Sequence, residues 1–316
     1  SPSFARRISV LEDGSIYPGG VFYARDAFQG LEILNSLVQE REPTLEHYRT
    51  DVLNRLNKGG VRKEAEGERI RPGITRERII APFIGTESIK DIPADEIFRY
   101  LDLDSLFRAR WQAKKRYTSE LREKEFLPAF QELKTGLIRK KVMKLSLVYG
   151  YFDCEVSGDS LVIHNKDEKV ALNFARRSGL TKYFLPQGGK DVAALGVVTI
   201  GAGPGELESE LMRKGETKKA FYLHGLSAET AEALAEYLEA KIRLELGLKR
   251  GFGKRFSPGY PSWPNLSEQK KIFSVMKPEE IGVTLTEAFQ MVPEHSVSFL
   301  LCPRARAARR RRAGGL

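Results

Sequence analysis

Apolar positions along the chain recur at two spacings. Short apolar or alternating runs predict strands at Leu145–Phe152 and Ser160–His164, joined through Ser157-Gly158-Asp159, a composition that suits a hairpin turn. Leu195–Gly201 is a further strand candidate, and Val283–Met291 and Ser296–Cys302 are expected to pair as a second hairpin around Pro293-Glu294-His295. Helical spacing recurs at Phe28, Leu31, Leu34 and Val38 behind the β-like run Val21–Ala24, and at Ile97, Phe98 and Leu101 behind Pro93. It recurs again at Ala231, Leu234, Leu238 and Ile242, a helix expected to start with Ser227 as its cap and to stop at Gly247. Glu120–Lys141 predicts a long charged helix with a kink or break at Pro128. Asn265 with Glu268 three residues on predicts a capping box for a short helix through Phe273 and Met276.

Strands that arrive as hairpins, without a regular strand–helix alternation, predict an α+β fold: a twisted, mainly antiparallel sheet flanked by helices. Thr44 to about Gly73 is rich in Lys, Glu and Arg and contains Gly59-Gly60, a linker composition, and the apolar run Ile79–Gly85 is expected to lie across another domain's surface.

Composition narrows the partners. The 316 residues are 41% hydrophobic, enough for a sizeable core, and no apolar run approaches membrane-spanning length, so a cytoplasmic protein with no membrane partner is expected. The net charge is +10, but six arginines lie in Pro303–Leu316, and without that tail the excess is too small for a nucleic-acid footprint. Cys154 and Cys302 form no C-x-x-C pair, and His47, His164, His224 and His295 stand isolated along the chain, so no metal cluster is expected.

Two stretches carry candidate chemistry. Arg255–Pro264 holds three prolines and a glycine, which exclude helix and central strand and leave a stiff loop with Arg255 and Tyr260 pre-organised on it. On composition alone, a rigid connector whose aromatics cover core edges is the better reading. Gly201-Ala202-Gly203-Pro204-Gly205 follows a strand candidate and resembles the first motif of class I S-adenosylmethionine methyltransferases. It lacks the acid that should precede the glycines and the second acid about 20 residues on. A tight strand-to-helix turn fits it better. Glu232, Glu236 and Glu239 share one helical face, where the last two read as solvated; Glu287, in a predicted strand, pairs with a cation such as Arg255 or lines a pocket.

Taken together, Arg255-Phe-Ser-Pro-Gly-Tyr260-Pro-Ser-Trp-Pro264, Glu268-Gln-Lys-Lys271, Ile281-Gly-Val-Thr-Leu-Thr-Glu-Ala-Phe289 and Pro293-Glu-His-Ser-Val-Ser298 resemble the reactivation domain of cobalamin-dependent methionine synthase. Tyr100–Phe107, Trp111, Val148–Phe152, Gly196–Thr199 and Ala231–Leu238 extend the resemblance over about residues 91–302. Gly19–Phe28 is similar to the last strand and helix of that enzyme's cobalamin-binding domain. The resemblance implies residues 1–42 as the end of a cobalamin domain, 43–90 as a charged linker, 91–303 as the S-adenosylmethionine-binding domain and 304–316 as an Arg-rich tail. It implies a methyltransferase module that supports reductive methylation of cob(II)alamin in methionine biosynthesis. Cobalamin would be held by a partner domain or subunit, with an electron from flavodoxin or a similar reductase. By position, it implies S-adenosylmethionine contacts at Asp102, Glu232, Arg255, Ser257, Gly259 and Tyr260. The D-x-H-x-x-G motif for cobalamin and the zinc-binding cysteines are absent, so the chain is expected to be no complete methionine synthase, and Arg309 falls where the family carries a ligand-contacting tyrosine. The rival expectations are a class I methyltransferase using Gly201–Gly205 and a non-enzymatic module that docks to a cobalamin subunit.

Overall fold

The computed structural model describes residues 79–113, 117–166, 168–175, 178–248 and 252–304. The strand–helix unit expected at 21–38, most of the charged linker and the tail from 305 onward lie outside the described residues.

Seven strands form one antiparallel sheet in the order β4-β3-β2-β5-β9-β6, with β1 also on β2. They are β1 Gly85–Ile92, β2 Leu145–Ser157, β3 Ser160–Asn165, β4 Glu168–Asn173, β5 Lys190–Thr199, β6 Lys254–Phe256 and β9 Ser296–Cys302. β7 Thr284–Leu285 and β8 Met291–Val292 make a separate two-stranded ribbon. Among the described residues the α-helices are α1 Ala94–Ile97, α2 Leu103–Ser105, α3 Ser119–Leu121, α4 Leu127–Arg139, α5 Gly203–Arg213, α6 Thr217–Glu245 and α7 Gln269–Met276. The α+β class is as expected.

The long apolar run of β2 follows from burial on both faces, which removes the usual alternation of apolar and polar residues. Leu147, Tyr149 and Tyr151 face one core with Leu234, Leu238 and Ile242 of α6 and Phe299 and Leu301 of β9. Val148, Phe152 and Cys154 face a second core with Ile272, Phe273 and Met276 of α7, Phe256 and the fully buried Trp263. A third cluster joins Phe107, Trp111 and Phe126 to the start of α6, where the Trp111 ring stacks on Tyr222 at 4.1 Å and its Nε1 donates to the Tyr222 carbonyl at 3.0 Å.

Several elements differ from expectation. β1 was hidden by its composition, Gly-Thr-Glu-Ser-Ile-Lys-Asp-Ile, because a strand at an edge keeps charged groups in water. The sheet therefore begins before residue 91, inside the stretch expected to be linker. Just ahead of it, Phe83 packs edge-on to Tyr149 and Tyr151 at 5.6 and 5.0 Å, so this part of the Ile79–Gly85 run covers the chain's own sheet, while Ile80 and Ile84 stay exposed. β4 escaped for the same reason as β1.

Ser227 caps nothing: it is fully buried inside α6, which starts ten residues earlier at Thr217. The His224-Gly225 pair resembles a helix break, but the Trp111 indole lies on Gly225 and tertiary packing carries the helix through. The break near Pro128 is present as a π-helical turn, Arg122–Phe126, that hands over to α4 with Pro128 in its first turn.

Asn265 does cap, accepting from the Ser267 amide at 3.1 Å, but Glu268 does not reach back. Its carboxylate accepts from the Asn173 amide at 2.8 Å and from Lys271 at 2.7 Å, which ties α7 to β4. The second hairpin is Thr284–Leu285 with Met291–Val292, whereas β9 pairs with β5 and β6 in the main sheet. Glu287 consequently sits exposed in the β7–β8 turn and does not pair with Arg255. Arg304, assigned by composition to the tail, is 4% exposed and forms a two-point pair with buried Asp191, Nε to Oδ2 at 2.6 Å and Nη2 to Oδ1 at 3.1 Å.

Candidate functional site: a groove at the sheet edge

β6 is the edge strand on the β9 side, and Arg255 lies opposite Leu301 in its register. From there the chain enters the proline loop. Pro258 and Gly259 occupy the corners of one turn, with Gly259 at φ +86°, a left-handed conformation that costs a glycine nothing and other residues strain. Pro261 and Ser262 occupy the corners of the next, closed by the Tyr260–Trp263 bridge. The Gly259 amide donates to the Trp263 carbonyl and the Trp263 amide to the Tyr260 carbonyl, both at 2.8 Å. Trp263 anchors the loop, fully buried, with its Nε1 donating to the Asn173 carbonyl at 2.9 Å and its ring edge-on to Phe174 at 5.0 Å. With the tryptophan sunk in the core, Tyr260 on the other limb is left 59% exposed. The loop is both a stiff connector and a shaped surface.

Facing it, α6 contributes a glutamate ladder. The groove between them, about 350 Å³, is lined by Glu232, Lys254, Arg255, Phe256, Ser257, Tyr260, Pro261 and Ser262. That volume falls in the range of small-molecule sites. Arg255 Nη2 donates to Glu232 Oε2 at 2.9 Å, and its Nε is 3.5 Å from Glu239 Oε2. Its guanidinium carbon stands 5.7 Å above the Phe299 ring. Nη1 is buried without a hydrogen-bond partner among the described residues. An orphaned guanidinium N–H is costly and is suited to a carboxylate that could complete the fork. Between the two partners of Arg255 stands Glu236, whose pKa is raised by desolvation against the pull of Arg255, with Glu239, Glu229 and Glu232 adding to the rise.

Four of the six residues expected at the site, Glu232, Arg255, Ser257 and Tyr260, line this groove. Gly259 shapes the loop from behind, without lining it. Asp102 is outside the lining set: its Oδ1 caps α2, accepting from the Asp104 and Ser105 amides at 3.0 Å each. Its segment nonetheless rests on the same helix, with Tyr100 edge-on to Tyr237 of α6 at 5.6 Å. Glu239, read from the sequence as a solvated face, is a partner of Arg255 and also of Arg243 at 2.6 Å. Its spacing from Glu232, seven residues along one helix face, was the available signal.

The glycine run at Gly201 is a turn. β5 enters it between antiparallel neighbours, so the crevice of a parallel sheet, where nucleotide folds bind their cofactors, is absent among the described strands. Gly203 is required for packing, because a Cβ there would stand 2.2 Å from the Val142 carbonyl oxygen. The class I methyltransferase expectation is overturned by this topology.

The class these features define is an α+β domain, a helix-flanked antiparallel sheet with a groove where its edge strand and proline loop meet the glutamate-bearing helix. The family described as vitamin B12 dependent methionine synthase, activation domain, matches residues 93–309, and the chain belongs to that family. Methionine synthases of Mycobacterium tuberculosis and Mycobacterium leprae are 26% and 25% identical to it over 89% of its length. The chain spans 29% of the length of each. The crystal structure of the MetH reactivation domain bound to AdoHcy shares the fold, with a TM-score of 0.62 at 21% identity over 73% of this chain and 82% of that one. No helix among the described residues is long and apolar enough to cross a membrane.

Proposed function

We propose that the groove binds S-adenosylmethionine and that the chain presents its methyl group to cobalamin held by a separate domain or subunit, in a cytoplasmic methionine synthase. The orphaned Nη1 of Arg255, a residue that lines the groove, is the observation that carries the reading. S-adenosylmethionine has a carboxylate for that N–H, and an ammonium and a sulfonium for the electronegative face of α6. The structurally similar reactivation domain was crystallised with AdoHcy, which supports a ligand of this class.

In this reading Arg255 binds the carboxylate while Glu232 and Glu239 fix its guanidinium, and Glu232 also accepts from the amine. The exposed Tyr260 offers a face for the sulfonium or adenine. Ser257 and Gly259 bring backbone close to the nucleoside, and Asp102 closes the side beyond the groove. Cobalamin, held by the partner domain or subunit, would supply cobalt as the methyl acceptor, with flavodoxin or a similar reductase as the electron source. Transfer of a methyl cation moves no proton, so the residues need no general base and act by positioning.

Isothermal titration of the full chain with S-adenosylmethionine tests this, with saturable one-to-one binding expected. A folded chain that binds nothing at millimolar ligand would overturn it in favour of a non-enzymatic docking module.

A further inference from the structure

Three side chains that the groove does not use meet elsewhere on the domain. Glu208 stands on α5, His224 in the first half of α6 and His295 at the entry to β9. Glu208 Oε2 lies 3.1 Å from His224 Nδ1 and 4.0 Å from His295 Nε2, and the two imidazole centroids are 5.1 Å apart. One donor atom from each residue lies within 4.8 Å of the other two. His295 is only 6% exposed, and its Nε2 is buried with no hydrogen-bond partner among the described residues. The carboxylate it faces is too far away to accept from it. Leaving such an atom unmade is costly, and it is aimed at two other ligand-type groups.

We propose that Glu208, His224 and His295 form a binding site for a divalent transition-metal ion, zinc by ligand type, with a fourth position open to water. Two imidazoles and one carboxylate suit zinc and its neighbours, whereas calcium and magnesium seek oxygen-rich shells. Tetrahedral bonds of about 2.0–2.2 Å set donor atoms roughly 3.4 Å apart. The present 3.1 and 4.0 Å separations are within an ångström of that, and the side chains of His224 and Glu208, 41% and 28% exposed, have freedom to adjust.

The site is distinct from the ligand groove. Glu232 lies eight residues further along α6, about 12 Å at the rise of a helix. Along β9, His295 is six residues from Leu301, the neighbour of Arg255, or about 20 Å. A metal here would therefore act as a clamp that joins α5, α6 and the sheet, outside the methyl-transfer geometry.

The test uses the untagged full chain, stripped with a chelator and dialysed, then titrated with zinc chloride by calorimetry and thermal melting. One equivalent of zinc is expected, with Tm raised by about 5 °C or more at saturation. His224→Ala and Glu208→Gln, both at partly exposed positions, should each weaken zinc binding about 100-fold while the metal-free Tm moves little. Cobalt chloride should give the visible absorption of a tetrahedral ion in the wild type only. Failure to bind zinc, or binding unchanged in both variants, which would assign it to other donors such as His164 and Glu155, would overturn the proposal.

Discussion

Arg255→Ala should weaken binding of a ligand in proportion to what that ligand offers the guanidinium. The side chain is 21% exposed, gives Nη2 to Glu232 at 2.9 Å and keeps Nη1 buried and unpartnered. Truncating one member of a buried, hydrogen-bonded charge pair costs 2–5 kcal/mol, and partial exposure places this case near the lower end, about 2–3 kcal/mol. That is roughly 30- to 150-fold in Kd. The substitution also leaves Glu232 and Glu239 unpaired, and their field favours a cationic ligand. S-adenosylhomocysteine, without the sulfonium charge, should therefore lose most, S-adenosylmethionine somewhat less, and methylthioadenosine, which has no carboxylate, only a few-fold. Calorimetry of the three ligands against wild type and variant measures this, with circular dichroism to verify folding. Equal losses for S-adenosylhomocysteine and methylthioadenosine would refute the carboxylate assignment, because the arginine would then act only through the shape of the groove.

Gly203→Val should lower the Tm, since the new Cβ would meet the Val142 carbonyl at 2.2 Å, an overpacking cost of about 1–3 kcal/mol, yet leave S-adenosylmethionine affinity near normal in the folded protein. Loss of binding with an unchanged Tm would return the glycine turn to candidacy as a cofactor site. Arg304→Ala should cost about 3–5 kcal/mol in urea unfolding by stranding the buried Asp191 charge, and replacing Asp191 with Asn as well should restore part of it. Glu245 provides a pH test: burial pushes its carboxyl up, but hydrogen bonds from Lys241, Tyr151 and Tyr149 outweigh burial and hold the pKa below the ordinary 4.5. A depressed carboxyl stabilises the fold above its unfolded pKa, and that stability is lost as pH falls through the folded value. Tyr151→Phe, which removes the 2.6 Å bond to Oε2, should cost about 1–2 kcal/mol at pH 7 because the carboxylate is partly solvated. The gap from wild type should narrow toward pH 3, and a gap independent of pH would show that packing accounts for it.

What the sequence determined by itself was local or carried by spacing. The run Leu145–Phe152 and the turn at Gly158 dictate a hairpin because their side chains and φ preferences admit little else. The proline loop is legible because proline and glycine constrain the backbone wherever they occur, and its spacing to Gly282–Phe289 pointed to the family. Three groove-lining residues, Arg255, Ser257 and Tyr260, came from that loop, and Glu232 from the resemblance of Ala231–Leu238. Tertiary structure decided the rest. Edge strands β1 and β4 bury too little to show an apolar pattern, and α6 continues through Gly225 only because Trp111 packs there. Glu239 became a partner of Arg255 when β6 docked beside α6, and Asp102 was committed to a helix cap. His224 and His295 are far apart in the chain and meet across Glu208 only after α5 and α6 fold onto the sheet. Pairings between distant segments depend on which faces are buried together, and the order of residues along the chain does not contain that geometry.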